Sequence, residues 1–267
     1  MPLVAYMNDF LNRCGRSPIL SPRNFQYACA FSGILVLIIT IVAFAASGFL
    51  PPPPPSWDAE QVAEHYREHE TGIQAGAALL AISGMSYLAF TAAISAQMRR
   101  IPNLPHAASA LQLASGAACA GIFEMVGLIL AATNYRLERP AEITQALNDL
   151  FWFMAVLSWP IFMAQGFALA YAILIDCRPK PPFPKPIAIV SIVVPILYVP
   201  GIAVHCTKTG PLAWSGVLSF WIPLCAFGVQ TVIDSICLLR AVFTEAERGE
   251  KFVDVRPAGL ENGGRED

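Results

Sequence analysis

Polar residues in this chain gather into short clusters, and between them run six stretches in which apolar positions follow one another almost without a break, at 28–50, 72–97, 107–134, 151–175, 187–205 and 214–239. Each is long enough for a helix to cross a hydrocarbon core of about 30 Å, which takes about 20 residues. The expected fold class is therefore all-α, a polytopic integral membrane protein with six transmembrane helices. Residues 1–24 read as an N-terminal segment, 25–242 as the transmembrane domain and 243–267 as a charged, Gly-bearing tail expected to be disordered. The first apolar run is longer than the 7–15 residues usual in a signal peptide, and it is expected to remain uncleaved.

Charge adds an orientation. With the connections assigned alternately to two sides, thirteen of the 17 Lys and Arg fall on the side of the termini, leaving Arg67, Arg136, Arg139 and Lys208 opposite. The positive-inside rule then puts both termini in the cytoplasm, in the cytoplasmic (plasma) membrane. The low charged fraction of 13% against 55% hydrophobic excludes an ordinary soluble domain. No basic patch with interleaved aromatics points to nucleic acid. No pair among the seven cysteines has C-x-x-C spacing, so free thiols are expected.

A weak internal similarity recurs about every 80 residues: a Pro-bearing opening, a helix, a connection, then a returning helix near Trp57, Trp152 or Trp214. It suggests three parallel helical-hairpin repeats, unlike the inverted repeats of many transporters. The connections differ. Pro51 to Pro55 reads as a stiff polyproline segment, 58–70 as a surface helix, 140–150 as a shorter one and 207–211 as a tight turn. Leu3, Met7, Phe10 and Leu11 share one face of a helix, as in an interfacial anchor.

Several polar residues interrupt the apolar stretches. Glu124 lies about ten residues, or about 15 Å, from the end of the third. An acid near the bilayer midplane marks a functional site by default. Ala117, Ala120, Gly121, Gly127 and Ala131 flank it with small side chains, which predicts that this face turns into the bundle. Gln165, Gln230 and Tyr87 lie at comparable depth and complete a candidate buried polar binding site with Glu124. Asp234 reads as an interface residue near Arg240. His65 and His69 share a helix face at i, i+4, with His205 as a third candidate metal ligand. Pro160, Pro195, Pro200 and Pro223 break the last three stretches and free carbonyls that can line a cavity.

No nucleophile motif, phosphate loop or H-E-x-x-H pattern occurs, so catalysis is not the first reading. The leading expectation is a small carrier or permeation protein for a small or hydrophobic solute, with Glu124 as its protonatable site. The alternatives are a non-catalytic subunit or scaffold, and a metal-dependent membrane enzyme built on the histidines. Expected partners are the lipid bilayer, a small hydrophobic solute, and a membrane protein or a further copy of this chain. No cofactor is expected.

Overall fold

The computed structural model describes residues 2–15 and 17–247. Among these residues every regular element is helical. Six helical segments are long and apolar enough to cross a membrane, at Pro22–Ala46, Glu70–Met98, His106–Asn134, Ala141–Ile175, Pro186–Cys206 and Val217–Thr244. The protein is thus an all-α, multi-pass membrane protein. The tail expected to be disordered falls mainly on 248–267, outside the described residues.

Local chemistry sets the boundaries. After α1 (Pro2–Gly15), α2 (Pro22–Ala46) starts where the Ser21 hydroxyl accepts from the Asn24 N–H and Pro22 supplies a preset φ. At α3 (Ala59–Glu68), Asp58 and Gln61 form a reciprocal capping box. Only His69 separates α3 from α4 (Glu70–Met98). Beyond α5 (His106–Asn134), the surface helix expected at 140–150 is instead the first part of α6 (Ala141–Leu157), which runs on into the apolar stretch. Nothing between Leu150 and Phe151 can stop a helix. The break comes at Ser158, before α7 (Trp159–Ile175), because Pro160 has no N–H for the Val156 carbonyl. The fifth span is α8 (Pro186–Leu197) followed by a 3₁₀ segment, Val199–Cys206. A π turn, Val217–Trp221, leads into α9 (Ile222–Glu247).

The spans close into a ring in chain order. α2 packs on α4, α4 on α5, α5 on α7, α7 on α8 and α8 on α9, which returns to α2. Lipid provides little hydrophobic force between helices, so contact depends on close approach and interhelical hydrogen bonds. Gly84 of α4 makes that approach possible: a Cβ there would lie 2.6 Å from the Ala120 carbonyl oxygen of α5.

The end of the ring away from the termini is capped. There α3 buries Val62, Ala63, His65 and Tyr66, and the Tyr66 hydroxyl donates to Asn148 Oδ1 at 3.2 Å. The proline segment is pinned, since Trp214 Nε1 donates to the Pro53 carbonyl and Gln145 Nε2 to that of Trp57. Trp152 and Trp214 stack at 6.0 Å, with Phe49 against Trp152. At the opposite, basic end, Lys185 Nζ donates to the last carbonyls of α7, Ile173 and Leu174, at 2.7 Å. Arg178 holds Asp176 through Nε and Nη2 at 2.8 and 2.6 Å. Met7, Phe10 and Leu11 of α1 are exposed.

Candidate functional site

Glu124 does not face the interior of the ring; its side chain is exposed. It lies in an open groove along the outer side of α4 and α5, with Gln74, Ala78 and Ala131. The expectation failed because the small residues of α5 occupy two faces. Gly116 (against Thr91), Ala120 and Gly127 press on α4, leaving no space for a long side chain between the helices. Ala117 and Ala131 are exposed, and Gly121 has no neighbour where a Cβ would sit. The inward residue is Phe123, and the next position is rotated by about 100° from it.

The other three residues of the expected polar site do come together. Tyr87 donates its hydroxyl hydrogen to Gln165 Oε1 at 2.6 Å. Gln165 Nε2 donates to Thr91 Oγ1 at 3.0 Å, and Gln112 Nε2 reaches the same oxygen at 2.9 Å. Tyr87, Gln165 and Gln230 all line a chamber of about 30 Å³ inside the ring. Asp234 lines it as well and is 3% exposed, so its carboxyl faces the interior of the ring. The helix ends at Glu247, thirteen residues beyond Asp234.

Next to this chamber lies an apolar crevice of about 90 Å³. Phe44, Phe123, Trp159, Phe220 and Leu224 are among its walls, and Ile41, 53% exposed, brings its rim to the outer surface of the ring. Phe162 and Phe227 line both spaces and meet edge to face at 5.6 Å, forming the partition between them. The breaks in the helices build this region. The kink at Pro160 turns Trp159 inward, where it stacks on Tyr198 at 4.6 Å just before the 3₁₀ segment. An apolar space of this kind stays dry and takes up apolar guests.

His65 and His69 belong to the cap, and His205 lies at the end of the 3₁₀ segment. His65 and His69 stack at 4.3 Å. His65 Nε2 lies 3.1 Å from the Ser47 carbonyl oxygen and His69 Nδ1 3.1 Å from that of His65. Each of these nitrogens must carry its hydrogen to donate. His65 is buried in the cap, not solvated as its charged sequence neighbours suggest. Burial lowers its pKa, as does the adjacent His69, while the Ser47 hydrogen bond and Glu68 act the other way. His205 is exposed, with Nδ1 on the Ile202 carbonyl. Among the described residues no group of three or more His, Cys, Asp and Glu side chains is placed to hold a metal ion.

The chain belongs to the family described as Domain of unknown function (DUF4386), whose model matches residues 31–230. That span takes in the crevice and all of the polar chamber's lining except Thr231 and Asp234. No curated protein and no solved structure matches the chain.

Proposed function

We propose that this member of the DUF4386 family binds a small, largely apolar solute inside the ring and acts as its carrier. The observation that supports this reading is the crevice itself: aromatic and aliphatic walls, a rim at the outer surface beside Ile41, and a polar chamber at its inner end. Its volume is below the roughly 150 Å³ that admits benzene to an engineered cavity, so it takes a chain or the edge of a ring. A longer body extends past Ile41 toward lipid. The basic end faces the cytoplasm in this proposal, following the positive-inside rule.

Trp159 reports on the crevice because it lines it. A bromine-tagged decanol is expected to quench the fluorescence of the purified protein saturably. Trp159→Phe should remove that component, and Ala155→Leu, which fills part of the same space, should weaken binding. Quenching that rises linearly and equally in all three proteins would sink the proposal.

A further inference from the structure

Among the described side chains that line the polar chamber, one fully buried acceptor has no hydrogen-bond partner. Gln165 is used at both ends, accepting from Tyr87 and donating to Thr91. Gln230 lies one turn before Asp234 on the same helix and lines the same space. Asp234 Oδ1 has no hydrogen-bond partner among the described residues, although the residue is almost fully buried and lines the chamber. No lysine, arginine or histidine lines that space. Arg240, the next basic residue along α9, is exposed toward the basic end. A group that fills the chamber and brings a donor would satisfy Asp234, and a positive charge on it would be matched by the ionised carboxyl.

The rest of the wall narrows the class. Tyr87, Phe90, Phe162, Tyr198 and Phe227 line the same space, and the faces of such rings attract cations within about 6 Å. The chamber holds about 30 Å³, where one water needs about 10–15 Å³. That suits an ammonium head with three hydrogens and is too small for a trimethylated one. A chain attached to that head reaches the apolar crevice only when the Phe162 and Phe227 rings, which meet between the two spaces, move apart.

We infer that the solute is a lipophilic primary amine, with its nitrogen on Asp234 and its hydrocarbon in the crevice. This names the solute class of the binding protein proposed above and rests on that reading. The uncharged amine partitions into lipid. At the site the Asp234 carboxyl gives up its proton: the O–H bond breaks, its electron pair stays on oxygen, and the amine lone pair forms the new N–H bond. Acid and amine become carboxylate and ammonium, so no net charge is carried into the membrane interior. The attraction of the pair is only weakly screened there.

The test compares decylamine, decanol and decyltrimethylammonium, which share one chain length. The readout is saturable thermal stabilisation of the full chain in an uncharged maltoside detergent. Decylamine is expected to bind about tenfold or more tighter than decanol, a difference within reach of one charged contact. The trimethyl compound should bind no better than decanol. Asp234→Asn should bring decylamine down to the affinity of decanol and leave decanol unchanged. The order among the three ligands needs only the wild-type protein, so it decides the matter even if the variant does not fold. Saturable decanol binding with decylamine no tighter, or an amine preference that survives Asp234→Asn, overturns the amine and leaves the apolar site standing. No saturable stabilisation by any of the three overturns the binding reading together with it.

Discussion

Thr91 joins two amides to one hydroxyl oxygen, and its removal tests the polar cluster more severely than removal of any single donor. Thr91→Val keeps the volume but strands the Nε2 groups of Gln165 and Gln112. The expected loss is about 1–2 kcal/mol, against about 1 kcal/mol or less for Tyr87→Phe, measured by unfolding in detergent. Glu124→Gln should stay within about 0.5 kcal/mol of wild type, since that side chain lies off the interior. His65 belongs to the same scale. Its neutral form is favoured in the folded protein, so the unfolded chain takes up a proton first, near the ordinary value of 6.5. Stability present above that pH is therefore lost as pH falls below it. Melting curves from pH 7.5 to 5.5 should show the loss, and His65→Gln should flatten the dependence.

Helix contacts carry the next set of consequences. Gly84→Ala drives a methyl group to 2.6 Å from the Ala120 carbonyl oxygen, and backbone cannot move aside as a flexible side chain can. A cost of about 1–3 kcal/mol is expected from such overpacking. Gly121→Ala, on the α5 side with open space, should be neutral or stabilising by up to about 1 kcal/mol through helix propensity. The two melting temperatures should move in opposite directions, or the second not at all. The sequence alone cannot separate these glycines. Both sit among small residues in apolar helices, and only the direction from which the neighbouring helix approaches distinguishes them. The start of α6 was misread for a related reason: a polar stretch looks like a separate surface helix, yet helices stop where hydrogen bonds fail, at Pro160.

For the whole molecule, the proposed orientation places exposed Cys206 at the outer, capped end and exposed Cys177 at the basic, cytoplasmic end. A membrane-impermeant thiol reagent should label Cys206 in intact cells and Cys177 only after permeabilisation. Labelling in the reverse order would invert the topology. The spans themselves were legible because lipid demands long apolar runs and internally satisfied backbones, a constraint written into composition and length. Gln165, Gln230 and Tyr87 were legible as polar interruptions at similar depth. What only the tertiary structure decided is direction. It turns Glu124 outward and Asp234 inward, packs His65 under the cap, and sets Phe162 and Phe227 between a polar and an apolar chamber. In helices apolar on every side, hydrophobicity does not say which face meets a neighbour; close packing and hydrogen-bond partners do, and these exist only once the ring has closed.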